Sequence, residues 1–303
     1  MAEIILHHYA ISPFSEKIRK ILGHKRASWC SVEQPAIMPK PKLTPLTGGY
    51  RRIPVMQLGA DVYCDTEIIV RKLEELLPEP TIYPGGSQGL CHMISQWADR
   101  RLFFAIIPVV FQRMAGAVPK EFIEDRQKMM SGASFTELLQ TAPDALNQLR
   151  GFLAMIDAQL DGRPFLLGDA FSLADAACFH SIWFCRNEAD TFALVKSAAN
   201  VMRWFERIDA MGHGDAKLMD PDRALAIARE SSSSIRASKD LADPNRLEPG
   251  MRVSITPDDY GPEPVTGTVV ASSAYEIAIE REEAGLGRIV VHFPKVGFRI
   301  KRA

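Results

Sequence analysis

Three short segments hold residues whose types and spacing could do chemistry. The first is Tyr9-Ala10-Ile11-Ser12-Pro13-Phe14-Ser15-Glu16-Lys17, between an apolar strand pattern at Ile4–His8 and helical spacing over Ser15–Leu22. Proline suits the first helical turn, where its missing N–H has no intrahelical partner, so Ser12 falls beside a helix N-terminus. Exposed amides and the helix dipole favour an anion at such an end. The plainer reading is that Ser12 only caps the helix. The second segment is Gly48-Gly49-Tyr50-Arg51-Arg52-Ile53-Pro54-Val55. Proline at a strand start cannot join a hydrogen-bond ladder, so it marks an edge or a special turn. A cis bond there would turn the Ile53 backbone toward a peptide-like ligand. The third, Asp65-Thr66-Glu67, opens the next helix, and alone reads as an ordinary N-cap.

The elements that must position these residues follow from periodicity. Over 1–82, short strands alternate with helices. Trp29–Val32 reads as a second strand, Ile53–Leu58 and Val62–Cys64 as a hairpin around Gly59, and Thr66–Leu77 as a helix stopping before Pro78. That order predicts an α/β domain with a mixed sheet. From 87 to 231 the patterns are helical. They include a long helix over Gln88–Met114, expected to bend near Pro108, and a capping box, Ser172 with Asp175. Ser231–Pro249 reads as a linker. Across 249–303, Met251–Thr256, Val265–Ala271, Tyr275–Glu280, Arg288–Phe293 and Gly297–Ile300 read as five strands of a small SH3-like β-barrel.

Composition bounds the function. Of 303 residues, 36 are Lys or Arg and 37 Asp or Glu, a net charge of −1, which argues against a whole-chain nucleic-acid or anionic-membrane footprint. The longest apolar run, Leu102–Phe111, is interrupted by Pro108 and falls short of the about 20 residues of a membrane span. Met1–Ala10 lacks the pattern of a secretory signal. Five cysteines without a CxxC pair read as reduced cytosolic thiols, and the expected location is cytoplasmic. Cys178, His180 and Cys185 invite a metal reading, but on one helix Cys178 and His180 diverge and no fourth ligand is suitably spaced, so no metal is expected.

Taken together, the three segments resemble the thioredoxin-like domain of glutathione transferases. The resemblance rests on Ser12-Pro13-Phe14-Ser15, on Pro41-Lys42-Leu43 through Arg52-Ile53-Pro54-Val55, and on Asp65-Thr66. Pro84 ahead of the helical region and Leu167-Gly168 before the Ser172–Asp175 box extend it to about residue 230. The resemblance implies a backbone pairing of Ile53 with the cysteinyl part of glutathione and a cis Pro54. It places Thr66 and the amides after Asp65 at the γ-glutamyl carboxylate, and Arg52 at the glycyl carboxylate. Ser12 would stabilise the bound thiolate, with Tyr9 the rival donor and Ser15 a distant third. Relatives usually have serine in place of Thr66, and some have cysteine in place of Ser12, where the chemistry is disulfide exchange that serine cannot perform.

The implied activity is attack of glutathione thiolate on a small electrophile, or reduction of a peroxide. The electrophile pocket is expected around Phe14, Trp97, Arg101, Phe104 and Pro108, the last four following helical spacing toward Phe111. A two-fold homodimer is also implied, and Leu102, Phe103, Ile106, Ile107 and Val110 offer apolar surface for a neighbour to cover. The rival reading is a non-catalytic binding or regulatory protein of this fold that docks a partner through its C-terminal β domain. Five basic residues and no acids follow Glu283, which suits either a docking surface or a solvated sheet edge.

Overall fold

Strand β1 (Ile5–His8) is buried at every position because it lies inside a sheet. The computed structural model describes residues 3–114, 116–130 and 134–303. After β1 come α1 (Pro13–His24), β2 (Ser28–Glu33), α2 (Thr44–Thr47), β3 (Val55–Leu58), β4 (Asp61–Cys64) and α3 (Thr66–Leu76). β1 pairs parallel with β2 and antiparallel with β3, and β3 pairs antiparallel with β4. This is the mixed α/β unit expected from the sequence. Gly59, at φ 62, supplies the left-handed turn of the β3–β4 hairpin.

The helical region holds α4 (Gln88–Trp97), α5 (Phe103–Arg113), α6 (Lys120–Met129), α7 (Phe135–Gln140), α8 (Ala142–Gln159), α9 (Leu173–Phe184), α10 (Ala189–Ser197) and α11 (Ala199–Asp209). The expected long helix is interrupted by a wide π turn at Ala98–Leu102, whereas Pro108 sits inside α5. Ser172 caps α9 as expected: its Oγ accepts from the Asp175 amide at 3.4 Å, and Asp175 accepts from the Ser172 amide at 2.9 Å. The region is not purely helical. β5 (Asp215–Leu218) pairs parallel with β2 and precedes α12 (Pro221–Glu230). All four β5 residues are exposed, so no hydrophobic alternation announces the strand.

All five C-terminal strands form: β6 (Arg252–Pro257), β7 (Val265–Ser272), β8 (Glu276–Glu283), β9 (Gly287–Pro294) and β10 (Phe298–Arg302). They do not close into the expected SH3-like barrel. β9 uses its second edge to pair parallel with β4, through Asp61↔Val290, Val62↔Val291 and Tyr63↔His292. β10 pairs only with β6 among the described residues. The result is one open sheet in the order β10-β6-β7-β8-β9-β4-β3-β1-β2-β5. Val62 and Cys64 share a core with Val253, Ile279, Val291 and Phe293. The segment expected as a linker is packed as well. Ser233 Oγ donates to Asp61 at 2.6 Å, Leu247 is buried, and Lys295 donates to Asp243 at 2.8 Å.

The apolar face of α5 is covered from within. Leu102, Phe103, Ile106, Ile107 and Val110 are all buried in the single chain, against α8 and α9 among others. The surface expected to call for a two-fold partner is therefore already satisfied.

At the β4–β9 seam, His292 stacks on Tyr63 with ring centroids 4.2 Å apart, and its two ring nitrogens face Asp61 and Glu276. Both nitrogens can donate only in the imidazolium form. Burial alone would lower the proton affinity of His292, but the bonds to Asp61 and Glu276 outweigh it and raise the pKa above the ordinary 6.5. The stabilisation is then fully present below pH 6.5 and is lost as pH rises through the higher folded-state value. His292→Gln should cost about 2 kcal/mol at pH 6 and clearly less at pH 9, read from urea melts. Equal losses at both pH values would show that the charge of His292 does not hold the seam.

Candidate active site

The N-terminus of α1 is set by Ser12 and Pro13. Ser12 is extended, at φ −74 and ψ 118, and its Oγ accepts from the Ser15 amide at 3.2 Å. The capping bond uses a lone pair of the hydroxyl, leaving the O–H free to donate. Ser12 lines an apolar cavity of about 260 Å³ enclosed by the first domain, α5, α6, α7 and the C-terminal region. Tyr9 lines the same cavity, with its hydroxyl 3.5 Å from Arg126 Nη2. Ser15 does not face it. Its Oγ is buried and without a partner.

A smaller cleft of about 60 Å³ gathers Arg52, Ile53, Pro54, Asp65 and Thr66, the five residues expected at a glutathione site. Ile53–Pro54 is cis. Asp65 sits at φ 89 and accepts from the Glu67 amide at 2.9 Å, capping the first turn of α3 beside this corner. Removal from water pushes the Asp65 carboxyl up to about 6. Thr66 Oγ1 accepts from Lys17 Nζ at 3.2 Å. Lys17 also donates to Ser95 at 2.8 Å and to Asp99 at 2.7 Å, which uses all three of its protons. His180 Nε2 donates to Asp99 at 2.9 Å from the other side. Although burial opposes it, Lys17 and His180 hold the Asp99 carboxyl below its ordinary range.

Phe14, Arg52, Ile53 and Tyr260 line both spaces and form the wall between them. Tyr260 comes from the loop between β6 and β7. Its ring lies 3.9 Å beneath the Arg52 guanidinium and 5.9 Å from Phe104. Three arginines pair with carboxylates of that loop. Arg100 donates to Asp258 at 2.7 Å, Arg52 pairs with Asp259, and Arg51 donates to Glu263 at 3.1 Å. The Gly261 amide donates to Met129 O at 2.6 Å. Arg52, expected at a ligand carboxylate, thus already holds a carboxylate of its own chain, while its buried Nε has no partner. The space left in the cleft suits a few waters, not a tripeptide.

Of the residues expected at the electrophile pocket, Phe14 and Phe104 line the cavity, whereas Trp97, Arg101 and Pro108 do not. The π turn shifts the helical phase between α4 and α5. Trp97 packs on Phe152 at 5.3 Å, and Arg101 lies in a separate groove beside Thr141 and Asp144. Pro108 is buried on the flank of α5 away from the cavity. Phe103, Ile107, Phe111 and Met114 line it instead. Lys17, Lys40, Asp99, Arg126 and Tyr260 were not singled out from sequence. Only the last had a usable signal, the acidic turn Asp258-Asp259-Tyr260 bounded by Pro257 and Pro262. Cys178 and Cys185 are buried and their thiols pushed up by that burial, so neither is poised as a nucleophile.

Residues 6–81 match the family described as Glutathione S-transferase, N-terminal domain, and residues 96–207 match Glutathione S-transferase, C-terminal domain. A crystal structure of a GST-like protein from Pseudomonas syringae is 34% identical, with a TM-score of 0.85 and full coverage of both chains, so the likeness includes the C-terminal strands. FtsZ-localized protein A from Caulobacter vibrioides is 26% identical over 180 residues, 58% of this chain and 74% of that protein. A glutathione S-transferase structure from Rhodospirillum rubrum is 17% identical, with a TM-score of 0.53 over 68% of this chain and 88% of that one, a likeness of fold alone. With the paired domains in order and a full-length relative above a third identical, the chain belongs to the glutathione S-transferase family.

Proposed function

We propose that the chain is a glutathione-dependent transferase in which Ser12 stabilises the thiolate and the apolar cavity receives the electrophile. The observation that carries this reading is the position of Ser12, at the N-terminus of α1, opening on that cavity beside Ile53. A cysteine-type thiol has a pKa of about 8.5, so little is ionised at neutral pH. Each unit of lowering needs about 1.4 kcal/mol of differential stabilisation. A hydrogen bond to a charged group supplies about 1.5–3 kcal/mol, and the positive end of α1 adds to it. The cap leaves the Ser12 proton uncommitted, and unlike Ser15, Ser12 lines the cavity. Once formed, the thiolate gives its electron pair to an electrophilic carbon in the cavity, and the leaving group departs with its own pair.

Glutathione enters the cleft only when the Asp258–Gly261 loop withdraws. Its glycyl carboxylate then replaces Asp259 on Arg52, and the γ-glutamyl carboxylate meets the α3 amides and Thr66. A specific observation also favours a second reading. Because the Arg52 site is internally paired and one relative is named for localisation with FtsZ, the chain also suits a binding protein without turnover, docking a partner through residues 249–303.

A conjugation assay with a chlorodinitrobenzene-type acceptor, run beside a hydroperoxide assay, decides between the two. Activity in either supports the enzyme. Inactivity in both, with a partner retained by residues 249–303 in the full chain, supports the binding protein. Ser12→Ala should raise the apparent pKa of the pH–rate profile by about 1–2 units and lower turnover at pH 7 by about 10–100-fold. If Tyr9→Phe shifts the profile and Ser12→Ala does not, the donor is Tyr9. Asp259→Asn removes the competing carboxylate and should tighten glutathione binding about tenfold in calorimetry, equivalent to about 1.4 kcal/mol. Weaker binding in that variant would mean that Asp259 helps hold the tripeptide.

A further inference from the structure

The apolar cavity has one cationic corner, formed by Lys40, Arg51 and Arg126. Lys40 is only 3% exposed. Its ammonium donates to the Pro35 carbonyl and lies 6.0 Å over the Tyr9 ring. Among the described residues it has no ion pair. The local carboxylates are committed elsewhere. Asp125 is shared by Arg51, Arg126 and the Met38 amide, and Glu263 meets Arg51. Three cations therefore face two carboxylates, one positive charge in excess. Arg126 keeps Nη2 at the corner, 2.9 Å from Ala36 O and 3.5 Å from the Tyr9 hydroxyl. A buried ammonium without a counter-ion is costly. Burial, and then the nearby Arg126 and Arg51, push Lys40 down to about 8.

We propose that the cavity takes an amphipathic anion, an apolar body bearing a carboxylate, with its head on Lys40 and Arg126 and its body along Phe122, Phe111 and Phe104. This rests on reading the cavity as the electrophile pocket, and it names the class of molecule that pocket selects. The carboxylate supplies the charge Lys40 lacks, and the aromatic walls cover the body. Ser12 lines the same space, so the bound anion shares the cavity with the candidate thiolate position.

The test uses the full chain without glutathione, titrated calorimetrically with octanoate and with 1-octanol, which share a chain and differ in charge. Octanoate should bind at least tenfold more tightly than octanol. Lys40→Met should abolish that preference while leaving octanol affinity within about twofold, which shows that the cavity is intact, and Lys40→Arg should keep most of it. Competition between octanoate and a chlorodinitrobenzene-type acceptor should place the anion in the cavity. Equal affinities for the two ligands in the native chain would overturn the proposal, as would an undiminished preference in Lys40→Met. If octanoate selectivity holds but no thiol conjugation is found, the transferase reading fails and this one stands. If neutral acceptors are conjugated and octanoate is not preferred, only the choice of ligand class fails.

Discussion

The site depends on one buried ammonium. Lys17 rises from α1 and bonds in three directions: to Thr66 at the start of α3, to Ser95 on α4, and to Asp99 in the π turn. It thereby joins the two elements that frame the Arg52–Thr66 cleft to the helical region that frames the apolar cavity. Truncating one partner of such a pair leaves an uncompensated charge in a dry interior, at a cost of about 3–5 kcal/mol. The geometry of the cleft and the packing of the two domains are thus one constraint. The π turn follows the same logic, since it is the place where the helix departs from regularity and where Asp99 reaches Lys17 and His180 together.

Ser12 shows why capping and chemistry need not compete. A hydroxyl has two acceptor sites and one proton, and the cap consumes only acceptor capacity. The residue type that best starts a helix is therefore also one that can present a proton at the positive end of that helix. Arg52 illustrates the opposite case. Its single charge is already paired with Asp259, so any other carboxylate at that position would compete with the C-terminal loop.

Much of this was legible in the sequence because it is local. The caps at Ser12, Asp65 and Ser172, the β3–β4 hairpin and the five C-terminal strands are each written in a few neighbouring residues. The five cleft residues were legible through their order along the chain. What failed was long-range. The helical phase of Trp97 and Arg101 was reckoned across a π turn that no residue type marks, and Pro108 lies one position off the Phe104, Ile107 and Phe111 stripe. The role of Lys17 was not legible because Thr66, Ser95 and Asp99, which it joins, lie on other elements. Closure of the C-terminal strands into a barrel was expected because the free edge of β4, distant in sequence, was not considered as a competitor for β9.

That pairing has a consequence for synthesis. Asp61 and His292 are 231 positions apart, so the edge of β4 has no neighbour until almost the whole polypeptide has left the ribosome. The first two domains can gather their own cores earlier, as domains generally fold in order of emergence. Throughout that interval the nascent protein carries a bare strand with unpaired amides and carbonyls, a template for mispairing with another chain. The C-terminal strands are therefore also a late-arriving cover, and a chain released early would present that edge permanently.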